Sequence, residues 1–141
     1  KDDVEAIKQG IRQGIIDVIA SDHAPHTENE KDIEFEYAES GSIGLETELA
    51  VSITELVHSG LLNWNDLVER MCYNPARILG IDKGTLGIGC DADIAIVSPR
   101  KEWVVKSKDF MSRSKNSAFL GRRLKGAVEC TIYKGKVVYR A

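Results

Sequence analysis

The chain has 141 residues, 43% hydrophobic and 29% charged, a composition that supports a folded core and excludes a disordered polymer. Its 19 basic against 22 acidic residues leave a formal charge of −3, so nothing electrostatic favours nucleic acid or an anionic membrane as partner. No apolar stretch approaches the roughly 20 residues of a membrane span and no signal peptide precedes the first predicted helix, so no membrane partner is expected and a cytoplasmic address is the default.

Asp2 with Glu5 three residues later matches a capping box, and Val4, Ile7 and Ile11 recur on one helical face until Gly14 supplies a stop, which predicts a short amphipathic helix. The run IIDVIA at 15–20 is too short for a second helix and rich in β-branched residues, so it predicts a buried parallel strand. Between His26 and Gly44 the chain is polar and acidic, with Ser40, Gly41 and Ser42 able to turn sharply, and such a loop is long enough to be functional. Leu49, Ile53, Leu56 and Val57 keep a 3.6-residue period, which predicts a helix from Leu45 closed by Gly60. Asn63 with Asp66 starts another helix that packs Leu67, Val68 and Met71. Asn74 ahead of Pro75 reads as an N-cap followed by proline at the first helical position, and Gly80 ends that short helix. Beyond Gly80 the texture turns to β-like runs at 85–88, 92–97, 103–105, 127–133 and 136–139, with Lys134 and Gly135 as a tight two-residue hairpin turn. The cysteines, Cys72, Cys90 and Cys130, are far apart and form no CxxC pair, so they read as reduced, mostly buried thiols.

The predicted strand runs straight into SDHAPH at 21–26, which places a carboxylate and two imidazoles just past a strand's carboxyl end. Parallel α/β proteins carry their chemistry there, so Asp22 is a candidate ligand or base, with satisfaction of turn amides as its competing role. His23 reads as a packed or solvated side chain, and the helix dipole accounts for His58 just before Gly60. These residues do not complete a zinc site, which takes three or four protein ligands. The basic residues Arg113, Lys115, Arg122, Arg123 and Lys125 sit in a net acidic chain and read as solvated surface or packing.

SDHAPH at 21–26, GSIGLET at 41–47, NPARILG at 74–80 and KGTLGIGCDADIAIV at 83–97 occur in this order, followed by NSAFLG at 116–121 and LKGAVECTIYKGKVVY at 124–139. The set resembles the C-terminal third of a dihydroorotase of the amidohydrolase superfamily. The NPA and GxDAD motifs are shared with hydantoinases, dihydropyrimidinases and allantoinases, whereas DHAPH followed by GLET is more characteristic of dihydroorotases.

The resemblance implies an α/β fold: the C-terminal part of a (β/α)8 TIM-barrel amidohydrolase plus C-terminal strands of its flanking β-sandwich. Residues 1–80 are then the last helix, eighth strand and following helices of the barrel, and residues 81–141 belong to the sandwich. It further implies reversible hydrolysis of dihydroorotate to N-carbamoyl-aspartate in de novo pyrimidine biosynthesis, with zinc as cofactor. Asp22 matches the aspartate that binds the more buried metal and acts as general acid and base. His26 matches a histidine that helps hold the substrate carboxylate, and Ser40 and Gly41 match positions whose backbone hydrogen-bonds the pyrimidine ring; relatives often carry Pro where this chain has Ser40. His23 is no metal ligand of the family, and Glu46 is expected to be structural, capping its helix. The other metal ligands, and the arginine and asparagine that read the substrate, belong to the missing N-terminal barrel portion. The expected partners are that portion, a second copy in a homodimer, or aspartate carbamoyltransferase. Two rivals keep the family and change the role: a catalytically silent scaffold for that transferase, and a hydantoinase or dihydropyrimidinase. The segment alone is expected to be inactive, and its orphaned barrel strand to drive association or aggregation.

Overall fold

In the computed structural model, which describes residues 1–141, helix α1 spans Asp2–Arg12. Lys1 holds its N-cap position without a side-chain hydrogen bond, so the Asp2/Glu5 capping box does not form; these carboxylates favour the helix through its dipole. Of the predicted apolar face only Ile11 is buried, while Val4 and Ile7 face solvent.

Residues 15–20 pair with no strand, which corrects the buried-strand expectation. The physical reason is simple: a buried parallel strand needs ladder partners and covering helices, and this chain places no neighbouring strand beside residues 15–20. Ile15 is accordingly 70% exposed. The first strand-like contact comes later, an isolated parallel bridge between His23 and Ser42. The acidic loop holds a short helix absent from the sequence reading, α2 at Glu28–Lys31, started by a complete Thr27/Glu30 capping box.

Helix α3, Glu48–Ser52, runs on as a π-helical turn over Ile53–Val57, and Gly60 follows in the left-handed conformation at φ 77°. The predicted Asn63/Asp66 capping box starts α4 at Trp64–Val68. From there a second π-helical turn, Glu69–Tyr73, leads without a break into α5 at Asn74–Leu79. Asn74 therefore sits inside a continuous helix and is not an N-cap; its amide is used elsewhere. Gly80 ends the helix at φ 65°, as its sequence position suggested.

Strands β1 (Ile94–Val104), β2 (Arg123–Tyr133) and β3 (Lys136–Arg140) form an antiparallel sheet in that order. The predicted runs at 92–97 and 103–105 merge into one strand whose pairing slips between Ser98 and Glu102, and 85–88 is irregular chain leading into a turn at Ile88 and not a strand. Lys134 at φ 48° and Gly135 at φ 76° make the predicted hairpin turn. Lys83 bridges Asp91 at 2.6 Å and Asp93 at 2.7 Å, and Asp93 also accepts from the Lys134 backbone N–H at 2.7 Å. The GxDAD motif thereby ties the entry of β1 to the β2–β3 turn. Hydrogen bonds from Lys83 and Lys134 hold the Asp93 carboxyl below the usual carboxylate range.

Ile43, Ala50, Val105, Phe110 and Leu124 form the core, where α3 meets the sheet, with Val51, Trp103 and Phe119 packed around it. Gly126, at φ 93°, permits the contact: a Cβ there would lie 2.5 Å from Ile53 Cδ1. Cys130 is buried, but Cys72 and Cys90 are exposed, which corrects the expectation of mostly buried thiols.

Candidate functional site

The candidate site lies where residues 21–26 run alongside residues 40–45. Ala24 N–H donates to Ser42 O at 3.0 Å, and the His23/Ser42 bridge fixes the alignment. Gly44 approaches so closely that a Cβ would lie 2.8 Å from Ser21 O, so the small residues of GSIGLET are what let the two segments touch.

Asp22 occupies this junction with φ 43°, a left-handed backbone that non-glycine residues rarely adopt outside functional or tightly determined sites. Its side chain is exposed and makes no hydrogen bond to any residue of the chain. The competing role in a turn, satisfying backbone amides, is therefore not exercised. A free carboxylate held on a constrained backbone can accept a proton or bind a cation.

His23 points the other way. Its Nδ1 accepts from Gly44 N–H at 3.1 Å and Leu45 N–H at 3.3 Å, which requires a neutral ring with the proton on Nε2. His23 thus anchors the GLET segment and has no free Nδ1 for a ligand.

His26 Nε2 donates to Ser40 O at 2.9 Å, and its Nδ1 lies 3.9 Å from the Glu30 carboxylate. Glu30 accepts from both Thr27 N–H and Thr27 Oγ1, and these bonds pull its carboxyl below the ordinary range. Gly41, at φ 137°, sits against this ring: a Cβ there would lie 2.9 Å from His26 Nε2 and 2.8 Å from Ala24 Cβ. The Gly41 carbonyl accepts from Asn116 Nδ2 at 2.8 Å and Lys31 Nζ at 3.4 Å, while Lys31 also donates to Glu39 O. The Ser40 and Gly41 N–H groups find no acceptor within the chain and stand ready as donors. A cavity of about 650 Å³ opens beside His26, walled mainly by the polar and charged side chains of Glu28, Glu30, Lys31, Arg113 and Asn116, with Pro25 at its edge.

Lys31, Asn116 and Ser112 belong to this framework and were not singled out from sequence. Ser112 donates through its N–H at 2.8 Å and its hydroxyl at 2.8 Å to Glu46 Oε1. Burial raises the Glu46 carboxyl, but the Ser112 hydrogen bonds outweigh it and the net shift is downward. Glu46 is structural, as expected, although it anchors the 110–116 segment and does not cap its own helix. Among these contacts only Thr27-x-x-Glu30 carried a readable sequence signature.

The basic cluster is largely spoken for. Arg122 pairs with Glu55, Arg123 and Lys125 pair with Glu102, and Lys115 donates to the carbonyls of Phe110 and Ser112. His58 likewise meets Pro99 O at 2.9 Å. No group of three or more His, Cys, Asp or Glu side chains converges to hold a metal ion. The chain by itself therefore does not fit a complete metal centre, although Asp22 has the donor chemistry of one ligand.

Residues 1–138 match the amidohydrolase family, and the chain belongs to it. The fold agrees: an L-hydantoinase (dihydropyrimidinase) from Arthrobacter aurescens superposes at TM-score 0.90 and 35% identity, covering 95% of this chain and 31% of that one. A D-hydantoinase does so at TM-score 0.89 and 26% identity, with 99% and 32% covered. The chain shares its α/β architecture, small antiparallel sheet included, with a part of these enzymes. In sequence it is similar to dihydroorotases: 50% identical over 139 residues to that of Geobacter sp. (strain M21), covering 99% of this chain and 32% of the relative. The dihydroorotase of Syntrophus aciditrophicus (strain SB) is 49% identical over 140 residues, with 99% and 33% covered. The chain thus spans about a third of the length of the curated relatives it matches.

Proposed function

We propose that this chain is the C-terminal third of a zinc-dependent, cytoplasmic dihydroorotase, and that it supplies Asp22, His26 and the Ser40 and Gly41 backbone to an active site completed by the rest of a (β/α)8 barrel. Residues 1–80 belong to that barrel and residues 81–141 to its flanking β-sandwich. The reaction is reversible hydrolysis of the cyclic amide of dihydroorotate to N-carbamoyl-aspartate, running toward ring closure in pyrimidine biosynthesis. One observation carries the reading: in a chain about half identical to dihydroorotases, the SDHAPH aspartate is an unbonded, exposed carboxylate on a left-handed backbone beside GSIGLET.

Asp22 would hold the metal as one of its ligands, the others being supplied by the rest of the protein. When bound, the metal supplies Lewis-acid polarisation of the scissile carbonyl and activation of the attacking water. Asp22 accepts a proton from that water as the C–O bond forms and returns it to the ring nitrogen as the C–N bond breaks. The His26 Nε2 proton, held on Ser40 O in the substrate-free chain, turns to the substrate carboxylate, and the free N–H groups of Ser40 and Gly41 meet ring carbonyl oxygens. Retention of Asp22 and His26 favours an active enzyme over a silent scaffold for aspartate carbamoyltransferase.

The test is turnover of dihydroorotate by the whole protein. Asp22→Ala should lower kcat by about 10²–10⁴-fold, the range for loss of a general acid and base, whereas His58→Ala should leave it unchanged. Unchanged activity in Asp22→Ala would overturn the assignment. A hydantoinase or dihydropyrimidinase is the second reading, favoured by the structural likeness to the Arthrobacter enzyme at TM-score 0.90.

A further inference from the structure

Residues 15–20 have no strand partner in this chain; the N–H groups of Ile15 and Ile16 return to Gly10 O of α1, and beyond them the backbone is held at two points by the helix that runs from α4 through its π-helical turn into α5. Asn74 Nδ2 donates to Asp17 O at 2.9 Å, and Ile19 N–H donates to Arg70 O at 3.1 Å. Asp17 O and Ile19 N–H are two residues apart, so on extended backbone they lie on the same edge, the spacing a neighbouring strand would use. The helix junction stands in for that strand.

The Asn-Pro pair explains why a helix can do this. In the π-helical turn each N–H reaches the carbonyl five residues back, and Asn74 N–H accordingly bonds Glu69 O. The next donor in the ladder, at position 75, would take Arg70 O. Pro75 has no N–H, so Arg70 O is left for Ile19. Asn74 is 6% exposed, and its side chain is aimed at Asp17 O and not at the helix. Arg70, 7% exposed, also sends its guanidinium to Ile11 O at 2.8 Å, so the same turn fixes the end of α1 from which residues 15–20 depart.

Asp22 comes three residues after Ile19 and has no side-chain hydrogen bond of its own, so its carboxylate is positioned by backbone alone. Downstream, the contacts of His23 and Ala24 to residues 42–45 hold that backbone. Upstream, Ile15 and Ile16 tie the start of the segment to Gly10 O of α1, and beyond them the Asn74 and Arg70 contacts are the last to hold the backbone before Asp22. We propose that Asn74 and Pro75 are positioning residues for the reaction: the Asn amide and the carbonyl freed by Pro set the depth of the segment that carries Asp22. This rests on the assignment of Asp22 above.

The experiment uses the whole protein with dihydroorotate, rates being normalised to the folded fraction by near-ultraviolet circular dichroism. Asn74→Leu keeps the volume and removes the donor; Pro75→Ala restores an N–H that competes for Arg70 O and leaves the helix otherwise intact. Displacements of about 1 Å at a reacting group cost up to ~10²-fold, so Asn74→Leu should lower kcat by about 10–100-fold and Pro75→Ala by about 3–10-fold, both with KM within about twofold. Asn63→Ala, which removes the α4 cap without touching residues 15–20, is the control for general destabilisation and should keep its kcat. If Pro75→Ala and folded Asn74→Leu both match Asn63→Ala in kcat, or lose KM instead, the positioning role is wrong while the Asp22 assignment stands. If Asp22→Asn retains full activity, the assignment falls and takes the positioning role with it.

Discussion

At the scale of single residues, three neighbouring side chains of one motif go to three different tasks. Asp22 stays unbonded, His23 is consumed by two backbone N–H groups, and His26 shares its proton with Ser40 O. Residue type and position in the motif made Asp22 a candidate and counted against His23, whereas His26 became one only through the resemblance to dihydroorotases. Lys31 and Asn116 were not readable, since they act through space: Asn116 reaches Gly41 from 75 residues away. Glu46 shows the same distance effect, and it makes a pH prediction. Its carboxyl is shifted down from 4.5 in the fold, so its stabilising bonds to Ser112 are fully present above that value and lost as pH falls through the lowered one. In the whole protein, Glu46→Gln should therefore lower the melting temperature at pH 6 to 7, with the gap to the parent closing as the pH falls below the ordinary carboxylate range, in thermal melts followed by circular dichroism.

Elements were legible where their signals are local. The Asn63/Asp66 capping box, the Gly60 and Gly80 stops and the Lys134–Gly135 turn all stand where the sequence put them. Residues 15–20 failed as a strand for a non-local reason: β-branched composition proposes a strand, but only ladder partners make one. Asn74 failed as an N-cap because tertiary contact with Asp17 offered its amide a better use than the helix terminus. The sheet-to-helix contact is likewise set by a residue whose meaning is tertiary. Replacing Gly126 with Ala adds a methyl 2.5 Å from Ile53 Cδ1 at a positive φ, and should destabilise the whole protein by about 1–3 kcal/mol in urea unfolding.

For the whole molecule, 18 of 141 residues are buried, and Ile15, Leu86, Ile88 and Met111 remain largely exposed. So thin a core, in a chain a third as long as its relatives, suits a piece that packs on further structure. Prepared alone, the 141-residue chain should sediment as self-associated species and unfold without a sharp transition; a monodisperse, cooperatively melting monomer would count against this. The function belongs to the whole protein, and its nearest rival differs only in substrate, because hydantoinases share the fold while dihydroorotases share half the sequence. The decisive measurement is the ratio of kcat/KM for dihydroorotate and hydantoin with the metal-loaded whole protein. A preference for dihydroorotate of about 10²-fold or more, the scale set by matched polar groups for a substrate carboxylate, is the predicted result; equal turnover, or a preference for hydantoin, would contradict it.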